Sequence, residues 1–441
     1  MLTNSELKKL ILPLVIEQIL VMAVGVADTM MVSYAGEAAI SGVGLVDMVN
    51  NLVITVLAAI ATGGTVVVSQ YLGNKDHEKA NLSSSQLLTV TLLISFVIMI
   101  VCLLFHQQLL SLLFGQIDAD VMQASITYFL ISAISFPFLG VYNSTAALYR
   151  SMKKTKETMY VSLFMNLINV VGNYIGVVIL KVGVVGVAVP TLISRIVASL
   201  IMMKLTMNQK NEIFVTRKGI FSYQSGIVSK ILSIAVPNGV ENGLFTLGRV
   251  LVTSIVAMFG TSQIAANSVA GSIDQIAIVV VNAIGIAIVV VVGQCIGAND
   301  AEQAKYYMKK LMKISYVVTF VIGGVVILLL PYILNAYSLS EEARNLTYIL
   351  VIMHNVMAFM LHPTSFVLPN GLRAAGDVKY SMVVGILSML IFRLGVAYLC
   401  GVVFDLRIIG VWIAMGADWT FRSICFVYRL KSEKWRDYRI V

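Results

Sequence analysis

The chain has 441 residues, of which 59% are hydrophobic and only 12% charged, with a mean hydropathy of +0.90 and a formal net charge of +9. Soluble domains carry about 25% charged residues, so this composition excludes an ordinary water-soluble fold and calls for a bilayer as solvent. The four cysteines (Cys102, Cys295, Cys400, Cys425) stand singly in apolar runs and the four histidines lack zinc-protease spacing, which argues against a disulfide framework or a zinc centre.

In chain order, Lys8 and Lys9 precede an apolar run that superficially resembles a signal peptide. Glu17 and Asp28 interrupt the run and no small-residue cleavage site closes it, so it reads as a retained first helix. A spanning helix needs roughly 20 mostly apolar residues. On that measure the predicted spans are 10–33, 46–71, 85–106, 121–147, 158–180 and 184–206, then 230–258, 269–296, 309–333, 345–371, 380–403 and 408–430. The reading is therefore an all-α integral membrane protein with twelve transmembrane helices. The polar stretch 207–228 separates an N-terminal lobe, 1–206, from a C-terminal lobe, 229–441.

Charge sets the expected orientation. With both termini in the cytoplasm, 24 of the 31 Lys and Arg residues fall in inner segments and only Lys181, Arg344 and Arg407 in outer loops. Arg195, Arg249, Arg393 and Arg422 fall inside helices. The positive net charge thus reflects topology, and nucleic acid is not expected as a partner.

Self-similarity organises the whole chain. Pro13, Glu17, Gly36, Gln70, Gly73, Asp76, Glu78 and Ala80 recur as Pro237, Glu241, Gly260, Gln294, Gly297, Asp300, Glu302 and Ala304, all at one offset of 224. At nearby offsets Pro137 matches Pro363, Arg150 matches Arg373, Lys156 matches Lys379 and Gly186 matches Gly410. Matching polar residues and turn formers at one offset indicates duplication. Six helices per half is an even number, so the halves are related by a pseudo-two-fold axis along the membrane normal. A site between two such lobes opens to either side by rocking, and the expected lining comes from helices 1, 2, 7 and 8.

Charges inside the spans are costly, about 2.5–3.5 kcal/mol each on insertion scales, and the candidates are Glu17, Asp28, Glu241, Arg249, Asp274, Arg393 and Asp418. Glu17 and Asp28 share one helix face about three turns apart. Glu17 and Glu241 each follow a proline by four residues. Proline removes a backbone hydrogen bond and frees or bends the helix, so these acids are either titrating groups beside a hinge or partners of freed backbone or of an arginine. Asp418 and Arg422, four apart, read as an ion pair. Arg249 and Asp274 are placed to pair between helices 7 and 8, in a structural or a functional role.

Several stretches resemble the multidrug and toxic compound extrusion (MATE) family: LPLVIEQIL with VADTMMVSYAGEAAISGVGL, SQYLGNKD with its copy GQCIGAND, and LYRSMKKTKETM with its copy LRAAGDVKYSM. The resemblance covers the whole chain and looks most like bacterial multidrug- and flavin-export types. It implies a secondary antiporter in which H⁺ or Na⁺ enters as an organic, often cationic, small-molecule substrate leaves. It also implies a cation-coupling set of Asp28, Asn169, Asn173 and Thr191, whose oxygens would hold Na⁺. Asn173 stands where the family has an aspartate, which halves the charge of that set. In the second lobe the resemblance implies Glu241 as a coupling or substrate residue. His362 falls where the NorM-like branch of that family has an aspartate; histidine titrates near neutral pH, so His362 is either a participant in proton coupling or a hydrogen-bonded core residue. Pro13 and Glu17 would assist the first helix.

The combined expectation is a multidrug efflux antiporter working by alternating access. It would be a multi-pass monomer of the bacterial inner (cytoplasmic) membrane, with no cofactor and no enzymatic activity. A lipid-linked-precursor flippase of the same superfamily is the alternative, and a passive channel a more distant one. No GxxxxGK[ST] loop suggests an ATP-driven pump.

Overall fold

The computed structural model describes every residue except 1, 2, 116, 117, 336 and 338, and only the backbone of Thr29. The described residues form helices and connecting turns, without a strand. Twelve long helices run in chain order: α1 Asn4–Ser33, α2 Glu37–Gly73, α3 His77–Leu104, α4 Ala119–Ser151, α5 Thr155–Ile179 and α6 Val185–Thr206; then α7 Ser225–Ala257, α8 Thr261–Gly297, α9 Ala301–Asn335, α10 Glu341–Ala374, α11 Val378–Val403 and α12 Arg407–Lys431. Short helices at His106–Phe114 and Arg217–Phe221 and a 3₁₀ turn at Lys434–Tyr438 complete the inventory. Each predicted span falls on one of the twelve, and eleven are apolar and long enough to cross a membrane. The remaining one, α12, carries Asp418 and Arg422 on its buried side, which lowers its hydropathy without shortening it.

Several helices outrun their apolar core. The first residue of α2 is Glu37, well before the predicted start at 46, because a helix propagates beyond the hydrocarbon once nucleated. Outward faces are apolar where a soluble protein would be polar. On α3, Leu93, Phe96, Val97, Ile100 and Leu104 form an exposed stripe at helical spacing. On α9 the stripe is Val317, Phe320, Val321 and Leu328. Continuous exposed apolar faces of this kind mark a surface made for lipid or another protein rather than for water.

The duplication extends to the backbone. Gly36 and Gly260, which precede α2 and α8, have φ of 103° and 97°, a conformation L side chains rarely adopt. Lys75 and Asn299, in the copied turns, both take positive φ. Asp76 caps α3 through the Lys79 N–H at 3.0 Å, and Asp300 caps α9 through the Gln303 N–H at 2.8 Å.

Two compact units are present, Leu2–Gly239 and Val240–Val441, and the division falls within α7. In the first unit, α2 approaches the start of α7 so closely that a Cβ on Gly63 would meet the Ile231 carbonyl oxygen at 2.6 Å. The polar stretch after α6 docks on the N-terminal part of α3. The Gln86 amide donates to the carbonyls of Gly219 (2.8 Å) and Ser222 and accepts from the Gln224 N–H at 2.9 Å, while Asn81 accepts from the Phe214 N–H. In the second unit the chain end is pinned by Trp435, which is fully buried and donates to the Leu430 carbonyl.

Sequence periodicity did not anticipate the π-helical turns at Tyr174–Ile179, Pro363–Val367, Ser388–Gly395 and Leu399–Val403. Such turns widen a helix by one residue and recur at functional sites. The first begins immediately after Asn173 and the second immediately after His362.

Candidate functional site

In the first unit, small residues allow α5 and α6 to approach closely. A Cβ on Gly172 would lie 2.6 Å from the Pro190 side chain, and one on Gly176 would lie 2.5 Å from the Gly186 carbonyl oxygen. Gly172 and Gly176 are four apart, as are Gly186 and Pro190, so one small face on each helix makes the seam. The seam brings Asn169 to Thr191, with the Asn169 amide donating to Thr191 Oγ1 at 2.9 Å. Asn173 Nδ2 donates to Asn169 Oδ1 at 3.2 Å and to Asp28 Oδ1, on α1, at 2.7 Å. Thr191 Oγ1 donates onward to the Val187 carbonyl. All four residues of the expected cation-coupling set therefore meet in one cluster, with Asn169 and Asn173 buried and Asp28 half-buried.

The polarity of this cluster follows from one amide. Nδ2 of Asn173 has two hydrogens, and both are used, one on the carboxylate and one on Asn169. While Asp28 is ionised, the reversed amide would put an oxygen 2.7 Å from the Asp28 oxygen, a repulsive contact, so electrostatics fixes the orientation in that state. Asn173 Oδ1 is then buried without a hydrogen-bond partner.

Sequence reasoning missed the neighbours of this cluster. Asp47 on α2 accepts from Tyr128 Oη and Asn50 Nδ2, each at 3.3 Å. Arg195 on α6 donates to Ser135 Oγ at 2.6 Å, and its charge interacts with Asp28, Asp47 and Tyr128. The available signal was a second acid one residue inside a predicted span; its position at the edge of the apolar run concealed it.

Glu17 is not part of that cluster. It is 3% exposed and accepts from Arg150 Nη2 at 2.5 Å and from Thr158 Oγ1 at 3.3 Å. Pro13 lacks the N–H that would bond the Lys9 carbonyl. Thr155 Oγ1 compensates, donating to the Lys9 and Leu10 carbonyls at 3.3 and 3.0 Å. The arginine partner expected among the readings for Glu17 is present.

The second unit repeats the pair. Glu241 accepts from Arg373 Nη2 at 2.5 Å, and these are the copies of Glu17 and Arg150. Gly385 on α11 leaves room for the carboxylate, since a Cβ there would lie 2.6 Å from Glu241 Oε1. The network is larger here. Arg422 lies 3.8 Å from Glu241 and donates through Nε to Asp418 Oδ1 at 3.0 Å, and Ser388 bonds the same carboxylate. The expected Asp418–Arg422 pair is thus present.

His362 and Glu241 are linked through Arg422 and Phe366 rather than by a direct hydrogen bond among the described residues: the Arg422 guanidinium lies 3.8 Å from Glu241 and 5.4 Å from the centre of the Phe366 ring. The His362 ring stacks on Phe366 at 4.7 Å and meets Trp419 edge-on at 5.3 Å, on the wall of a cavity of about 340 Å³ lined wholly by the second unit. The expected Arg249–Asp274 pairing is not found. Asp274 Oδ1 lies 2.9 Å from His354 Nδ1, a neighbour the sequence reading overlooked. His354 sits on α10, buried between Trp412 and Trp419, and reaches Asp274 because α8 and α10 pack side by side.

The MatE family model matches twice, over residues 13–175 and 237–399, at the spacing of the internal repeat. An uncharacterized transporter, YisQ of Bacillus subtilis, is 27% identical, covering 96% of this chain and 93% of its own. A probable multidrug resistance protein NorM of Thermotoga maritima is 25% identical, covering 99% and 94%. Among solved structures, the outward-facing conformation of a multidrug resistance MATE family transporter of the MOP superfamily superposes with a TM-score of 0.91 at 20% identity, covering 97% and 96%. A MOP superfamily transporter from Pyrococcus furiosus, described by a binding pocket of reverse polarity suggesting a different function, superposes at 0.89 and 20%, with the same coverage.

Proposed function

We propose, from the premise that this chain belongs to the MatE family, that it is a secondary active exporter which admits protons in exchange for organic substrates by alternating access. The named relatives include multidrug resistance proteins, and xenobiotic efflux is the corresponding role here. The expected setting is a bacterial cytoplasmic membrane with both termini on the inner side.

The observation that carries the choice of proton is the Asn173 amide between Asp28 and Asn169. A Na⁺ ion needs several oxygen ligands converging on one point. In this cluster an N–H donor stands between the carboxylate and the Asn169 oxygen, and the Asn169 amide donates to the Thr191 oxygen. A cation entering there would have to break both Asn173 hydrogen bonds and turn the amide. A proton on Asp28 breaks neither, because it can add to the carboxylate oxygen that Asn173 leaves free. Protonation removes a charge from a half-buried helix, and the position of α1 can respond to that removal. Arg195 supplies the countercharge while Asp28 is ionised. Glu17 and Glu241, each tied to an arginine, hold helices together and are assigned no part in coupling.

The test is counterflow of ethidium and of norfloxacin in proteoliposomes under separately imposed proton and Na⁺ gradients. The proton gradient should drive transport and the Na⁺ gradient alone should not. Asp28→Asn should reduce proton-driven transport to the level of protein-free vesicles. Transport driven equally by Na⁺, or full proton-coupled transport by Asp28→Asn, would falsify the assignment.

A further inference from the structure

The cavity in the second unit carries two arginines that neither the coupling cluster nor the ion-pair network engages. Two guanidinium groups line it, Arg249 from α7 and Arg393 from α11. Both lie in spanning helices, where an unneutralised charge is costly. The carboxylates at hand are already engaged: Asp274 by His354, and Asp418 by Arg422 and Ser388. Among the described residues neither Arg249 nor Arg393 forms an ion pair, and Arg393 Nε is a buried donor without a hydrogen-bond partner. Much of the remaining wall is aromatic, with Phe366, Trp412 and Trp419.

We infer that this cavity binds a small aromatic anion, a one- or two-ring carboxylate, with its charge on Arg249 and Arg393 and its ring against Phe366 and Trp419. The planar guanidinium fork matches a carboxylate in shape and charge, and the aromatic wall suits a flat apolar body. At about 340 Å³ the space is at the low end for ligand pockets. A lipid phosphate offers the same charge but brings acyl chains that this volume does not hold. An organic cation would meet the two guanidinium charges and a single carboxylate in the lining, Asp274, which already has His354 Nδ1 at 2.9 Å. The inference needs neither the efflux reading nor the proton assignment, because it concerns binding within one unit.

The test uses the purified full chain in detergent and three probes of one shape: naphthalene-2-carboxylate, 2-naphthalenemethanol and 2-naphthylmethylammonium. Equilibrium dialysis gives affinity, and quenching of tryptophan fluorescence reports the place, since two of the three tryptophans line the cavity. The carboxylate should bind saturably, at least about tenfold tighter than the alcohol, and the ammonium weakest of the three. Arg249→Gln with Arg393→Gln should abolish the preference for the anion while leaving alcohol binding unchanged, which also shows that the cavity persists. Should the double variant fail to fold, Arg249→Lys and Arg393→Lys decide. Each retains the charge but loses the fork, so each should weaken carboxylate binding several-fold and spare the alcohol. The inference is overturned if the alcohol or ammonium binds as tightly as the carboxylate, or if no probe binds saturably. It is overturned equally if the arginine variants keep the full preference.

Discussion

Replacing Asn173 with aspartate should convert the first unit from indifference to Na⁺ into a Na⁺ site. In the native chain the Asn173 amide donates to Asp28 Oδ1 at 2.7 Å. The substitution puts a second carboxylate oxygen there in place of a donor. At that distance and an effective dielectric constant of about 20, two unit charges repel by roughly 6 kcal/mol. Repulsion of that size is relieved only by a shared proton or a bound cation. The Asn169 and Thr191 oxygens, no longer ordered by the amide, become available as further ligands. Thermal unfolding of the purified protein in NaCl, against choline chloride at equal ionic strength, reads the result. A site with ligand at about 100 times its Kd stabilises by about 2.7 kcal/mol. The variant should therefore unfold at a distinctly higher temperature in NaCl, and the native protein should unfold at the same temperature in both salts. A native protein stabilised by Na⁺ as strongly as the variant, or a folded variant that ignores Na⁺ at every pH, would refute the reasoning.

Other consequences concern stability. Glu17→Gln strands Arg150, so it should cost about 3–5 kcal/mol, and adding Arg150→Met should recover most of that; a double-mutant cycle of thermal unfolding measures both. Gly176→Ala puts a methyl group against the Gly186 backbone and should cost about 1–3 kcal/mol. Gly243→Ala meets nothing within 4 Å and should be neutral or stabilising by about 0.5–1 kcal/mol; paired melts of the two variants check the contrast. Trp435→Ala removes a fully buried side chain and should cost about 3–5 kcal/mol, visible as faster proteolysis of the chain end. Asp76 lies between spans, and its bond from the Lys79 N–H holds its carboxyl below the usual aspartate range. A lowered folded pKa adds stability above about pH 4, lost as pH falls through the folded value. The difference between native protein and Asp76→Ala should accordingly be present at neutral pH and fade in acid.

Composition alone determined the solvent, because a chain 59% hydrophobic cannot cover itself with polar surface. The twelve spans followed from the length of apolar runs, a local property fixed by bilayer thickness. The duplication was legible for the same reason: Gly36 and Gly260, or Asp76 and Asp300, are required by a turn or a cap wherever that turn occurs. Asp28, Asn169, Asn173 and Thr191 were named from resemblance. Their hydrogen bonds, and the donor placed where a cation would need an acceptor, depend on how closely α5 meets α6, which no single segment records. Tertiary structure likewise decided the ion pairs. Glu17 and Glu241 have the same sequence setting as any titrating membrane acid, and only packing sets Arg150 and Arg373 within reach. It also gave Asp274 to His354 and left Arg249 and Arg393 facing a cavity. The physical reason is common to all these cases. Hydrophobicity and helix propensity act along the chain and can be summed from neighbours, whereas polar and charged pairing acts over a few ångströms between different helices that lie far apart in the sequence.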